Sequence, residues 1–326
     1  MNISILDDYQ DTIRTLPCFQ KIKHHNVTVW NDHTKDVDVL AERLKDAEAI
    51  TLLRERTPIR EALIHRLPKL KIISQVSVFP HIDVDACTKN GILVCSDTTG
   101  HISYATAELT WALVLASFRR IPQEVAALKA GYWQTPLVGD TVRGKTLGIY
   151  GYGRVGKVVA GYGKAFGMRV IVWGRETTIE KAKADGCEIA ASKQALFEES
   201  DIVSLHVRLL DPTRGMVTAE DLGRMKPDSL LVNTSRAGLI VPGALEAALK
   251  AGRPGMAAVD VYEAEPVLGG QHPLLTMDNV VCTPHLGYVG RHDLERMFNT
   301  IFEQIIAFES GAPINVHNPE ALGKKG

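Results

Sequence analysis

The stretch from Thr146 to Trp173, TLGIYGYGRVGKVVAGYGKAFGMRVIVW, places three glycines at fixed spacing between an apolar run and a helical one. Gly151, Gly153 and Gly156 follow a strand that ends at Tyr150, and a helix opens at Arg154. The first glycine permits a tight turn, the second lets backbone approach a pyrophosphate, and the third allows the helix to pack closely on the strand. The opening of that helix offers unpaired N–H groups and the positive end of its dipole, which favour an anion. A lone glycine triplet would say little. One that leaves a strand, opens a helix and reaches a second strand specifies a dinucleotide site. Gly161, Gly163 and Gly167 fall within the helix and at its end, where packing and C-capping explain them.

The second strand ends in VIVWGRE. In the NAD form of such a site an acid at this strand end accepts from the ribose hydroxyls and repels a 2′-phosphate. Counting 18 residues on from Gly156 reaches Gly174, with Arg175 beyond it. Arg175 could pair bidentately with a 2′-phosphate. It could also stack on the adenine or face solvent, leaving the ribose to Glu176. The missing acid inclines the reading from NAD toward NADP.

The remaining pattern sets the architecture. Short β-rich runs (NISIL, VTVW, AITLLR, KIISQVSV, ILVCS) alternate with amphipathic ones before residue 100, which implies a parallel sheet with crossover helices. A second series, TLGIY, RVIVW, DIVSLHV, SLLVNTS, MAAVD and NVVCT, reads as a six-stranded doubly wound fold. Between them ATAELTWALVLASFRR (105–120) predicts a long apolar helix with a basic last turn, buried between domains or subunits. A last helix near 290–310 precedes a tail that returns to the first domain. The fold class is therefore α/β, with two doubly wound parallel-sheet domains: residues 1–98 with 289–326 as a discontinuous, flavodoxin-like substrate domain, and 99–288 as the Rossmann-type dinucleotide-binding domain. A length of 326 residues suits two such domains.

Three further strand ends carry chemically useful groups: VNTSRAGLI has Arg236, AVDVYEAEPV has Asp260 and Glu265, and CTPHLGY has His285. The carboxyl edge of such a sheet opens to its ligand crevice. Hydride transfer to a 2-oxo acid needs a cation for the carboxylate and carbonyl, a proton donor for the forming alkoxide, and a group that keeps the donor charged. Arg236, His285 and Glu265 fill these roles in that order, because a nearby carboxylate favours imidazolium and orients the ring. Taken singly, each also reads as a surface arginine, a loop glutamate or a turn-capping histidine.

With GYGRVG, LHVRLLDPTRG, MKPDSLLVNTSRAG, AAVDVYEAEP and TPHLG in place, the chain resembles the D-isomer-specific 2-hydroxyacid dehydrogenases over almost its whole length. That family includes D-3-phosphoglycerate dehydrogenase and glyoxylate/hydroxypyruvate reductases. The resemblance implies that Arg236 orients the substrate, Glu265 pairs with His285, and His285 is the acid/base. It also implies cofactor contacts from Gly151, Gly153, Arg154, Val155 and Gly156, from Gly174 and Arg175, and from Val207, Thr213, Thr234 and Ser235. Asp260 is expected at the nicotinamide end. Subunits of the family pair through their cofactor domains, so a homodimer is expected.

Departures from the family pattern bear on the substrate. A glycine-bearing loop of the type GxGxDNID becomes QVSVFPHID, with Val76, Ser77, Val78, Phe79 and Pro80 in its place. Larger side chains and a proline without an N–H alter the donors available there. LRERT resembles the family's RSRT loop, with Glu55 replacing a small residue; Arg54 or Arg56 is a candidate for an anionic substrate tail, or belongs to a solvated loop. Arg208 stands where the family usually has proline. Formate dehydrogenase resembles this family but carries glutamine at the position of Glu265, so Glu265 argues against it. A non-enzymatic dinucleotide-sensing corepressor shares the fold, yet a net charge of -1 leaves no basic excess for nucleic acid.

Other classes are excluded by simpler features. The start MNISILDDYQ has two acids and no basic n-region, and no run approaches the roughly 18 apolar residues of a membrane span. No membrane partner and a cytoplasmic location are expected. Five cysteines, Cys18, Cys87, Cys95, Cys187 and Cys282, lack any CxxC spacing and read as reduced thiols, with no metal site.

Overall fold

The computed structural model describes residues 1–100 and 104–323. The chain divides into two compact units, Met1–His101 with Arg291–Gly326, and Ile102–Gly290. Both are α/β units built on wholly parallel sheets, as the alternating pattern predicts.

Among the described residues, the first unit carries strands β1 (Asn2–Ile5), β2 (Asn26–Val29), β3 (Ala49–Thr51), β4 (Ile72–Val76) and β5 (Leu93–Asp97), in the order β2-β1-β3-β4-β5. Apolar side chains on both faces keep β3 and most of β4 buried, which is what a sheet covered on both sides requires. The helix Arg291–Glu309 packs against β4 and buries Phe298, Ile301, Phe302 and Ile305 completely. Each such side chain contributes roughly 1.5–3 kcal/mol of burial. Ser74 adds a buried polar link, its hydroxyl donating to the carbonyl of Ile301 at 2.9 Å. The segment after this helix lies along β5: Ser96 N–H donates to Asn315 O, and His317 N–H to Val94 O. Asn318 completes the seam, accepting from Val94 N at 2.7 Å and donating to Ile92 O at 2.9 Å. Backbone groups of an edge strand are thereby satisfied.

In the second unit seven strands are described where the sequence pattern yields six. They are β6 (Thr146–Tyr150), β7 (Arg169–Trp173), β8 (Glu188–Ile189), β9 (Ile202–Leu205), β10 (Leu230–Asn233), β11 (Met256–Val259) and β12 (Val280–Cys282), ordered β12-β11-β10-β9-β6-β7-β8. The addition, β8, is two residues long with an exposed Glu188, too short to show any periodicity. The order reverses at β6, which lies between β7 and β9. Such a switch point leaves a crevice at the carboxyl ends of the strands.

The apolar helix spans Tyr104–Phe118. Its buried residues, among them Ala107, Trp111, Val114 and Phe118, join the core formed with Leu147, Ile149, Val159 and Ala160, all inside the second unit. Packing on its own sheet and on the helix Arg154–Ala165 therefore accounts for its apolar character. The two arginines expected in its last turn lie beyond it, and Arg120 takes a left-handed φ of 53° to start the next helix, Ile121–Lys129. No described helix is long and apolar enough to cross a membrane.

Candidate active site

At the end of β6 the chain turns through Gly151, whose φ is +97°. A Cβ there would lie 2.7 Å from His206 O, so the turn admits only glycine. Gly156 is needed for a different reason: a Cβ on it would lie 2.3 Å from Gly151 O, and the helix could not approach the strand. Gly153, by contrast, faces open space, with nothing within 4 Å of a Cβ built on it. It is the N-cap of the helix Arg154–Ala165, whose first turn runs through Arg154, Val155 and Gly156; the opening N–H groups of a helix have no partner within it. Clear space over a 12-residue helix start fits a dinucleotide pyrophosphate. Beneath the loop lies His206, its ring Nε2 2.9 Å from Ser204 Oγ and its basicity pushed down to about 4 by burial.

The strand β7 delivers Gly174 and Arg175. Arg175 is the N-cap of the helix Glu176–Ala184, and Thr178 caps back onto it, donating its hydroxyl to Arg175 O at 2.8 Å. The Arg175 side chain is exposed, and among the described residues it has no hydrogen-bond or ion-pair partner. A Cβ at Gly174 would meet Thr178 Oγ1 at 3.1 Å, with Gly151 Cα and N next at 3.6 and 3.8 Å.

Four expected cofactor residues are fixed by local bonds. Val207 closes on the glycine turn, its Cγ2 being 2.8 Å from a Cβ at Gly151. Ser235 donates its hydroxyl to Val207 O at 2.7 Å, which ties the ends of β9 and β10 together. Thr234 is buried, with its hydroxyl 2.7 Å from that of Thr110. Thr213 holds the 210–213 turn, accepting from Leu210 N at 2.8 Å and donating to Arg208 O at 2.6 Å.

The ionisable groups of β10, β11 and β12 converge. Nδ1 of His285 lies 2.6 Å from Oε2 of Glu265. The other carboxylate oxygen, Oε1, accepts from the backbone N–H of Tyr262 at 2.9 Å. Burial pushes the Glu265 carboxyl up, but the His285 hydrogen bond and charge, the Tyr262 N–H and the Arg236 guanidinium together hold it below the usual carboxylate range. Arg236 is half-buried, its guanidinium donating to Ser235 O at 2.8 Å, and its carbonyl accepts from Asn233 at 3.0 Å. Arg236 and Glu265 are thus electrostatic neighbours, and Glu265 links both to His285.

Asp260 is fully buried and holds the loop that carries His285. Its Oδ1 accepts from the Thr283 hydroxyl at 2.6 Å and Leu286 N at 2.7 Å, and its Oδ2 from Gly287 N at 2.8 Å. Burial raises its carboxyl against these three donors, so the group sits above its ordinary value. The bonds have a steric purpose: His285 has a left-handed φ of 54°, a conformation costing of order 1–3 kcal/mol that the surroundings must impose. Sequence reasoning missed Tyr262, which spans both loops. Its N–H reaches Glu265 while its phenol donates to Thr283 O at 3.0 Å. Nor did it find His272, which packs edge-on against the Tyr262 ring and lies 3.2 Å from Glu263. The only sequence signal was their place in the runs VDVYEAEP and HPLL.

In the first unit the altered loops are internally engaged. Arg56 donates to Asp7 O at 2.9 Å and lies 4.4 Å over the Tyr9 ring, and Arg54 Nε is 3.7 Å from Glu55. Ser77 adopts a φ of 90°, the left-handed region, although it is not glycine. His81 is buried, and burial pushes its ring down to about 4.

Known proteins resemble this chain in sequence and fold. Residues 111–287 match the model of the D-isomer specific 2-hydroxyacid dehydrogenase NAD binding domain. The chain is 39% identical over 312 residues to a glyoxylate reductase of Aeropyrum pernix, covering 92% of each. It is 40% identical to a D-3-phosphoglycerate dehydrogenase of Methanocaldococcus jannaschii, over 76% of this chain and 47% of that protein. A crystal structure of a phosphoglycerate oxidoreductase from Vibrio cholerae O395 superposes with a TM-score of 0.92 at 48% identity, over 96% of this chain and all of that one. The chain belongs to the D-isomer specific 2-hydroxyacid dehydrogenase family.

Proposed function

We propose that this protein reduces a small 2-oxo acid to the D-2-hydroxy acid, and runs the reverse oxidation. The observation that carries the reading is the His285–Glu265 contact at 2.6 Å beside the Arg236 charge. Reduced nicotinamide supplies the hydride when bound. Arg236 holds the substrate carboxylate and polarises the carbonyl. His285, with Nδ1 engaged by Glu265, delivers a proton from Nε2 to the alkoxide oxygen as it forms. Glu265 offsets the imidazolium charge before transfer and keeps the ring oriented. Asp260 serves this chemistry by holding the His285 loop.

The dinucleotide would lie over Gly153, with Arg154, Val155 and Gly156 N–H groups toward its pyrophosphate. Val207, Thr213, Thr234 and Ser235 line the strand ends where its nicotinamide half would run. The exposed Arg175 guanidinium and the absence of an acid at Gly174 favour NADP over NAD. Turnover of a panel of 2-oxo acids, each with NADH and NADPH, tests the reading. Failure to oxidise either cofactor with any small 2-oxo acid would overturn it.

The helix Ile121–Lys129 buries none of its residues, and Trp133 and Val138 just beyond it are 82% and 94% exposed. Ile121, Val125 and Leu128 on one face of this helix are exposed as well, and exposed apolar residues of this kind call for a partner. The second-unit pairing expected of a homodimer is proposed to use it.

A further inference from the structure

We propose that the first unit carries a binding site for a borderline divalent transition-metal ion, of the Zn²⁺, Ni²⁺ or Cu²⁺ class, formed by His24, His25 and Glu309. The ligating atoms of these three residues all lie within 4.8 Å of one another. No CxxC or HxxxH spacing announces the site, because the turn before β2 supplies both histidines and the end of the helix Arg291–Glu309 supplies the carboxylate.

His25 provides the decisive observation. Its side chain is only 3% exposed, and its Nε2 is buried without a hydrogen-bond partner. The nearest acidic oxygen, Glu309 Oε2, is 3.4 Å away, an ion-pair distance that makes no hydrogen bond. Buried polar nitrogens are almost always satisfied, so an unmet one aimed at a carboxylate marks a place for a missing partner. The His24 ring stacks on His25 with centroids 4.0 Å apart and a tilt of 41°, which brings a second imidazole to the same point.

The chemistry selects the ion. Two imidazoles and one carboxylate suit zinc and its neighbours rather than magnesium or calcium, which take oxygen ligands. Bonds of about 2.0–2.1 Å separate tetrahedral ligands by roughly 3.3 Å, so the three atoms need to close by about 1.5 Å or less. His24 is exposed and the Glu309 side chain 44% exposed, so both can swing in, and solvent can fill a fourth position.

The test is calorimetric titration of the untagged, metal-stripped chain with Zn²⁺ alone, repeated on His24→Ala and Glu309→Gln. Both substitutions are at exposed positions away from the core, and His25→Ala is a third arm. One ion should bind per chain, and each exposed substitution should weaken it by about tenfold or more. Thermal melts with and without Zn²⁺ should show a metal-dependent rise in Tm in the parent and not in Glu309→Gln. Absence of binding at submillimolar Zn²⁺ would overturn the proposal. So would unchanged binding in the folded His24 and Glu309 variants, since the ion would then be held elsewhere, for example by the Cys282 thiol.

Discussion

Tyr262 holds Glu265 from behind: its backbone N–H donates to Oε1 at 2.9 Å, which leaves Oε2 to face His285. The carboxylate is thus fixed at both oxygens, and the orientation of the imidazole follows from the backbone at the end of β11. A dyad oriented in this way makes specific demands on kinetics.

Replacing His285 with alanine should lower kcat by roughly 10²–10⁴, the usual worth of a positioned general acid, with cofactor affinity retained. Glu265→Gln keeps the shape and removes the charge. Without the anion the ring loses the charge that offsets and orients it, so kcat should fall with cofactor affinity retained. The Glu265 carboxyl lies below the usual range, so in the parent it stays ionised until pH falls well into the acid region, and its contribution should be lost only as pH falls through that region. Rate–pH profiles for both variants check this; a fully active His285→Ala would remove the assignment.

Arg236→Lys should raise KM for the oxo acid and lower turnover with little change in cofactor affinity. Lysine keeps the charge but loses the planar two-point grip on a carboxylate. Parent-like values of both constants would place Arg236 outside the reaction.

Arg175→Ala should weaken NADPH by about 1.5–3 kcal/mol, a factor of about 10–150, and leave NADH nearly unchanged. Gly174→Asp should invert the preference, since a carboxylate there would accept from ribose hydroxyls and repel a 2′-phosphate. A Cβ there needs the Thr178 hydroxyl, 3.1 Å away and bonded to Arg175 O, to give by a few tenths of an ångström, while its other neighbours lie at ordinary contact distance. Steady-state kinetics with both cofactors decide the matter, and an NADH preference in the parent would reject the NADP reading.

Trp133→Glu should convert a dimer to monomer in sedimentation velocity, since a charge buried in an apolar interface has no partner there. A parent that sediments as a monomer would refute the pairing.

Much of the candidate site was legible because its parts are local. Gly151, Gly153 and Gly156 are read from six consecutive residues, and Arg236, Glu265 and His285 each follow their own apolar run. What escaped depends on contacts between segments. Nothing in VDVYEAEP shows that the Tyr262 phenol will find the carbonyl of Thr283, since the pairing exists only once β11 and β12 lie side by side. Asp260 could be placed at a strand end but not under Leu286 and Gly287. For the helix Tyr104–Phe118 the apolar pattern says that a surface is buried without saying what buries it, and its packing on β6 and the helix Arg154–Ala165 appears only in the fold. Likewise β8 left no trace, as two residues cannot display a period.

The seam between β5 and residues 315–318 has a consequence for how the molecule is made. Ribosomes deliver the chain from its amino end, so the five strands of the first sheet emerge well before the helix and tail that cover β4 and β5. The whole of Ile102–Gly290 is translated in the interval and is continuous in sequence. The nascent first sheet must therefore wait, with the face that carries Ile72 and Ser74 unshielded, while the later-born unit has every strand it needs to finish folding.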